Sequence, residues 1–337
     1  MGFDRRMVVM GMGMTLATSC ARAGQRGNGA MNGNVDWPTF KAAFLDPEGR
    51  IIDNGNGGIS HSEGQSYGLL LALGYNDRDG FEHILNWTER TLAQADTGLF
   101  RWRYDPRAAD PVADPNNATD GDIMIAWALA EAARQWRVPA YAQRSAAIRA
   151  AIRSRLVLER HGRLLLLPGM TGFVQDKAVT LNPSYYLWPA LDAFARLDGR
   201  QAWGQVIEDG EALMALAGFG PLGLPTDWID VTGHDALAPA AGRPARFGFD
   251  AIRVPLYAKA GKRAALLNPV RTFWQGYATS GRPIPAWVDV LSGEVAPYAL
   301  SAGGEAIAAR VMGTAAPTTL SPDYYAASLQ MLATRLG

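Results

Sequence analysis

Apolar residues recur three and four positions apart along most of the chain, the spacing that lines one face of an α-helix. That period predicts helices over Gly64–Leu73, Gly80–Ala95, Ile123–Trp136, Tyr141–Leu158, Tyr185–Leu197, Trp203–Leu216, Ile252–Ala260 and Asn268–Thr279. A last helix, Asp323–Leu336, is entered through Ser321-Pro322, a pair suited to a helix start. Strand-like stretches are few and short, for example Leu164–Leu167. Connectors rich in Gly, Pro, Asn and Asp, such as Asp105–Asn117 and Leu181-Asn182-Pro183, separate the helical segments. The pattern predicts an all-α protein of roughly ten or more helices, with loops able to carry a site. Periodicity alone leaves open whether the helices close into a barrel.

The first residues read as a targeting segment. Arg5 and Arg6 precede an apolar run from Met7 to Ala17, and Ala21-Arg22-Ala23 offers a small-residue cleavage site. We expect a signal peptide over 1–23, using the Sec or the twin-arginine route, and a periplasmic or secreted bacterial protein. The apolar run is too short to span a bilayer, so no membrane span is expected in the mature chain. Residues 24–34, rich in Gly and Asn, read as a flexible lead-in. From there 35–337 shows no second linker and reads as a single domain. The one cysteine, Cys20, lies in the leader, so cleavage after Ala23 leaves no disulfide.

Composition narrows the partner. Lys and Arg number 32, as do Asp and Glu, and the resulting zero net charge offers no electrostatic attraction to nucleic acid or an anionic membrane. A neutral substrate fits better. Ten Trp and 11 Tyr suit stacking on the apolar faces of sugar rings, although most such rings belong to the core of any fold. His61, His83, His161 and His234 form no ligand-spaced pair, so neither a metal nor another cofactor is implied. Gly55-Asn56-Gly57-Gly58 lacks the lysine of a phosphate-binding loop, and no Gly-x-Ser-x-Gly elbow occurs. His61 reads as a solvent-exposed loop residue, with tuning of Glu63 as the alternative.

Three segments place carboxylates in small-residue turns just before helices: Ser62-Glu63-Gly64-Gln65-Ser66-Tyr67-Gly68, Ala118-Thr119-Asp120-Gly121-Asp122, and Arg246-Phe247-Gly248-Phe249-Asp250-Ala251-Ile252-Arg253. Each alone reads as helix capping, since Ser, Thr and Asp are common caps and acids favour the positive helix end. Together they resemble glycoside hydrolase family 8. Ala118 to Ala132, ending at Trp136, is similar to the family's signature, and Ser62–Gly68 to its general-acid segment. Asn182-Pro183-Ser184-Tyr185-Tyr186 and Phe249–Arg253 are similar to two further family segments, in the family's order and spacing. The resemblance runs from about Trp37 to the C-terminus. Within the family it is nearest to endoglucanases that accompany bacterial cellulose synthase.

The resemblance implies an (α/α)6 barrel with a substrate cleft across one end, and an inverting endo-β-1,4-glucanase acting on cellulose and cello-oligosaccharides. Glycoside hydrolysis needs two carboxyl groups in opposite protonation states. The matching positions make Glu63 the general acid, its pKa raised by burial and by Asp120, and Asp250 the base that activates water. An inverting pair sits roughly 6.5–9.5 Å apart, a retaining pair about 5 Å. Asp120 matches the Asp that binds the sugar at the cleavage point, Tyr185 a tyrosine beside the attacking water, and Arg253 a residue that orients Asp250 or touches sugar. Gln65, Tyr67 and Trp127 are expected to line the cleft, with core packing as the default for a helical Trp, and Trp102 to stack against substrate. Asp122 is expected to tie its turn to backbone amides. Trp87, Trp136 and Trp188 are assigned to packing, and Trp228 fits either role.

Rival readings are a β-1,4-xylanase or chitosanase of the same family, a polysaccharide lyase on a helical barrel, and a non-catalytic cellulose-binding partner of an export machine. Asp at 250 argues against the chitosanase, and the neutral charge against the lyase. The intact pair of acids argues against the inert binder. The cellulose synthase complex is the expected protein partner.

Overall fold

The computed structural model describes residues 33–336. The expected leader, Cys20 and most of the lead-in fall outside the described residues. Eleven α-helices are present among them: α1 (Trp37–Phe44), α2 (Ser62–Gly74), α3 (Arg78–Thr91), α4 (Thr119–Trp136), α5 (Pro139–Arg155), α6 (Trp188–Asp198), α7 (Arg200–Leu216), α8 (Arg253–Ala260), α9 (Asn268–Thr279), α10 (Ala302–Met312) and α11 (Tyr324–Arg335).

Six of them close a ring. α2 packs on α4, α4 on α6, α6 on α8, α8 on α10, α10 on α11, and α11 back on α2. The sequence explains which helices go inside. In α2, Ser62 and every residue from Gly64 to Leu73 are buried, and in α11 every residue from Ala326 to Ala333. A helix buried on all sides shows little amphipathic contrast. The outer helices carry a one-sided stripe: in α3 the buried set is Gly80, Phe81, Ile84, Leu85, Trp87 and Thr88. α3, α5, α7, α9 and α1 pack on α2, α4, α6, α10 and α11 respectively, and a 3₁₀ turn at Ala264–Leu267 lies against α8. The result is an (α/α)6 barrel.

Close approach inside the ring depends on small residues. A side chain at Gly303 would lie 2.4 Å from the Ala326 carbonyl oxygen, so α10 and α11 touch through backbone at their N-terminal ends. Neighbours that run in the same direction need a return segment. Residues 313–323, outside any helix, supply it, and Asn34 bridges Thr319 antiparallel.

Among the described residues, nine short strands decorate the loops. β1 (Ser60–His61) pairs with β2 (Arg103–Tyr104), and β3 (Val157–Arg160) with β4 (Arg163–Leu166). β5 (Val179–Leu181), β6 (Ile229–Val231) and β7 (Leu237–Pro239) form an antiparallel sheet, and β8 (Arg246–Phe247) pairs with β9 (Val288–Asp289). Three of these lead straight into the segments singled out by sequence: β1 into Glu63, β5 into Asn182–Tyr185, β8 into Asp250.

The helical periodicity located nine of the eleven helices and missed α1 and α10. Several boundaries moved: α3 ends at Thr91 rather than Ala95, and α4 begins at Thr119 rather than Ile123. Tyr185 belongs to a 3₁₀ turn, Pro183–Tyr185, with α6 starting only at Trp188-Pro189. The α5 prediction overran into β3, because Val157 and Leu158 pair with Leu165 and Leu166.

Candidate active site

Each of the three carboxylates stands in or just before the first turn of an inner helix, so all three gather at one end of the ring. Their helices present free backbone N–H groups and the positive end of the helix dipole to that end. None of the three is the cap of its helix. His61 caps α2 by accepting the Gly64 N–H on Nδ1 at 3.0 Å. The caps of α4 and α8 are Ala118 and Ile252, neither with a side-chain bond. None of the three side chains therefore caps its helix, while the expected place of an acid at the positive helix end holds for Glu63 and Asp120.

Glycine brings the first two together. A Cβ at Gly121 would sit 2.4 Å from Ser62 Oγ and 2.9 Å from the Glu63 nitrogen, so only glycine lets the starts of α2 and α4 meet. Asp120 thereby reaches hydrogen-bond contact with Glu63.

Arg253, in the first turn of α8, ties the site together. Its Nη1 donates to Glu63 Oε2 at 2.7 Å, to the Tyr67 hydroxyl at 2.9 Å and to Asp120 Oδ2 at 3.4 Å. Its Nη2 donates to Asp250 Oδ1 at 2.6 Å and Ser184 Oγ at 3.1 Å. Glu63 and Asp120 thus share one nitrogen and touch each other, while Asp250 occupies a different nitrogen of the same fork. The guanidinium is 2% exposed, and the side chains of Glu63 and Asp250 are 14% and 29% exposed. The carboxylates line an opening and the cation lies beneath them.

The electrostatics follow from this layout. Burial and the negative charge of Glu63 push the Asp120 carboxyl well above its usual range. Burial also works to raise Glu63, but Arg253 and then His61 outweigh it and hold Glu63 low. Two carboxyl groups in contact titrate as a pair and retain one proton between them. Within the pair Asp120 is pushed up and Glu63 held low, the reverse of the expectation that Glu63 itself is raised. The reason is the Arg253 contact, closer to Glu63 than sequence suggested. Asp250 is raised, chiefly by burial, with Arg253 opposing. Tyr185 is raised well above the usual phenol range by burial and by Asp120 and Asp250, so it stays a neutral donor beside them.

Several expectations need correction. Gln65 is fully buried: its Oε1 accepts the Ile51 N–H at 2.6 Å and its Nε2 donates to Gly49 O and Thr88 Oγ1. Its amide is consumed in holding the loop before α2 and does not line the cleft. Tyr67, 1% exposed, sits behind the carboxylates as a support for Arg253. His61 is not a solvent-exposed loop residue: its side chain is 14% exposed and its Nε2 faces Asp53 Oδ2 at 3.4 Å. Burial opposes charging of this ring, but Asp53 and Glu63 outweigh burial and push it up. Nδ1 accepts the Gly64 N–H, so a proton on Nε2 faces Asp53.

Trp102 is half-buried beside the Glu63 turn. Its carbonyl accepts the Ser62 N–H at 3.0 Å and its indole donates to Asp114 at 2.7 Å. Trp127 is half-buried against the main core and makes none of the contacts around Arg253. Asp122 accepts from the Phe100 N–H at 2.9 Å and Asn117 Nδ2 at 2.7 Å, fixing the turn that carries Asp120. Trp228 is sandwiched between Phe173, parallel within 4° at 5.9 Å, and the Arg243 guanidinium at 4.0 Å, which makes it packing.

Sequence reasoning missed Asp227, Arg243 and the role of Ser184. Arg243 is half-buried on the Asp250 side of the site, where Asp250 is the strongest negative charge acting on it. Among the described residues no cluster of His, Cys, Asp and Glu is arranged to hold a metal ion. No described helix is long and apolar enough to cross a membrane.

The family pattern described as "Glycosyl hydrolases family 8" matches residues 5–336. The chain belongs to glycosyl hydrolase family 8. Among family 8 relatives, an endoglucanase of Cellulomonas uda is 44% identical over 268 residues, covering 79% of this chain and 74% of that one. A probable endoglucanase of Novacetimonas hansenii is 38% identical, covering 88% of each. The crystal structure of the Klebsiella pneumoniae family 8 endoglucanase Cel10 superposes with a TM-score of 0.86 at 41% identity, covering 89% of this chain and 97% of that one. Family 8 membership thus accounts for the barrel.

Proposed function

We propose that this chain is an endo-β-1,4-glucanase, hydrolysing internal bonds of cellulose-like chains with inversion at the anomeric carbon. The observation that carries the reading is the Arg253 fork, which separates three carboxylates into two kinds. Glu63 and Asp120 form a contact pair holding one proton, and Asp250 stands apart on the other nitrogen. Glu63 delivers the pair's proton to the leaving glycosidic oxygen, the proton crossing from Asp120 through their hydrogen bond. The arriving sugar displaces water around Glu63 and lowers the local polarity, which favours its neutral form. Asp250 accepts the proton of a water on the opposite face, and its raised pKa suits a base working near neutrality. Tyr185, neutral and adjacent, donates to that water or to the sugar, and Trp102 offers a stacking surface beside the acid.

The endoglucanase relatives of comparable length support β-1,4-glucan as substrate. We further propose a leader over 1–23 and export to the periplasm or exterior, one folded domain over 35–337, and a role accessory to bacterial cellulose synthesis, with the cellulose synthase complex as the partner. The test is reducing-end release from carboxymethyl cellulose, with product anomer followed by NMR, for wild type, Glu63→Gln and Asp250→Asn. The expected results are α-anomer product from wild type and losses on the order of 10²–10⁴-fold in each variant. Initial β-anomer product, or wild-type turnover in either variant, refutes the assignment.

A further inference from the structure

The base, Asp250, sits in no regular element: it lies in the turn between β8 and α8, where a loop residue is free to wander unless something fixes its backbone. That something is Asp227, which arrives from a separate segment just ahead of β6. The Asp227 N–H donates to the Arg246 carbonyl at 2.8 Å, aligning the two segments. Its Oδ1 then accepts three backbone N–H groups of the base-bearing turn, from Gly248 at 3.2 Å, Asp250 at 2.9 Å and Ala251 at 2.7 Å. Three donors converging on one oxygen define the path of the backbone through Asp250 much as a phosphate organises a nest of amides.

Two further features are built around this contact. A Cβ at Gly248 would lie 2.7 Å from Asp227 Oδ2, so the glycine of Phe247-Gly248-Phe249-Asp250 is what allows the carboxylate to approach. Asp227 itself is held from behind, because Thr226 Oγ1 donates to the Trp228 carbonyl at 2.8 Å and Trp228 is clamped between Phe173 and Arg243. On the other side of the turn Arg253 grips the Asp250 side chain. The side chain is therefore fixed from below by a cation and the main chain from the flank by a carboxylate.

We infer that Asp227 is the positioning residue for the general base: its carboxylate sets where the Asp250 side chain points toward the attacking water. The inference rests on the reading of Asp250 as base given above. Asp227 does not touch the reacting atoms. Misplacing a reacting group by about 1 Å can cost on the order of 10²-fold in rate, so loss of the three-way acceptor should fall on kcat. Substrate affinity, set by other side chains, should change little.

The experiment compares wild type, Asp227→Ala, Asp227→Asn and Asp250→Asn as the full chain, with kcat and KM measured on a soluble cello-oligosaccharide well below each melting temperature. Asn keeps a carbonyl oxygen for the three N–H groups, and Ala removes it. The expected result is a fall in kcat on the order of 10²-fold for Asp227→Ala with KM within about twofold, and recovery of most of that loss in Asp227→Asn. A kcat for Asp227→Ala within twofold of wild type overturns the inference, and so does an Asn variant as slow as the Ala variant. If Asp227→Ala does not fold, Asp227→Asn decides alone: activity near wild type upholds the acceptor role and a loss equal to that of Asp250→Asn overturns it. Asp250→Asn separates this from the underlying reading, since an active Asp250→Asn removes the base assignment whatever Asp227 does.

Discussion

Replacing Arg253 by Met tests the electrostatic account at its centre. Met keeps much of the aliphatic volume and removes all five donated contacts, two of them short bonds to Glu63 and Asp250 at 2.7 and 2.6 Å. Arg253 is the strongest influence lowering both carboxyl groups, so both should shift up when it is lost. A hydrogen bond to a charged group is worth about 1.5–3 kcal/mol, and one pKa unit is about 1.4 kcal/mol, so the expected rise for Asp250 is about one to two units. A base must be ionised to act, so the low-pH limb of kcat/KM against pH should move to higher pH by that amount. The assay is that profile on a soluble cello-oligosaccharide, with thermal melting across the same pH range. The melting temperature should fall most at high pH, where carboxylates left without their cation are charged, and recover as pH drops and they take up protons. Arg253→Lys should rescue poorly, because an ammonium has one centre and cannot serve two nitrogens' directions. A limb that stays in place, with kcat near the wild-type value, would refute the reasoning.

Two other perturbations follow from the same contacts. Asp120→Asn keeps a hydrogen-bonding amide beside Glu63 but cannot hold the pair's proton, so Glu63 must take its proton from solvent against the pull of Arg253. The high-pH limb of activity should therefore move to lower pH, with activity at pH 7 down on the order of 10²-fold; an unmoved limb would show that Glu63 keeps the proton unaided. Fully buried Asp122 is pushed up to about 7 by burial, so the folded state binds its proton more tightly than the unfolded chain. Its contribution to stability is thus greatest below about pH 4 and is lost as pH rises towards 7, by on the order of 4 kcal/mol. Asp122→Ala should cost about 2–4 kcal/mol at acidic pH by orphaning the Phe100 N–H and Asn117 amide, with a flatter melting profile between pH 4 and 7, read by calorimetry.

How much of this was legible in the chain depended on whether the signal was local. The nine helices found by periodicity include α3, whose one-sided stripe is a strong pattern, and α2, whose unbroken run from Leu69 to Leu73 is apolar enough to stand out. α1 is only eight residues long, and α10 carries Gly303-Gly304 in its first turn, weak helix formers, of which Gly303 permits the close contact with α11. The carboxylates were found because short motifs mark them. Gln65 and Tyr67 lie in the same motif and proved to be supports, because a motif records that residues matter without saying which way they face. Arg253 was legible as a neighbour of Asp250, three residues away, but its bonds to Glu63 and Asp120 span 190 and 133 residues. Asp227 left no trace, since it works on backbone N–H groups 21 to 24 residues ahead, and backbone amides carry no residue signature.

The pairing of residues 33–35 with 318–320 carries a consequence for how the barrel forms. The Val35 N–H donates to Thr318 O and the Leu320 N–H to Gly33 O, α1 packs on α11, and Asn54 accepts the Tyr324 N–H. The wall is joined where early and late parts of the chain meet, nearly 300 residues apart in sequence. Contacts between adjacent helices can form as soon as each pair exists, but the joint cannot, and closing so long a loop is entropically costly until the rest is in place. Contact between the helices that bear Glu63 and Asp120 can precede closure, whereas the packing of α11 on α1 and α2 comes only with it. On refolding, helical content followed by circular dichroism should return before activity, an open curl of staves preceding its last seam.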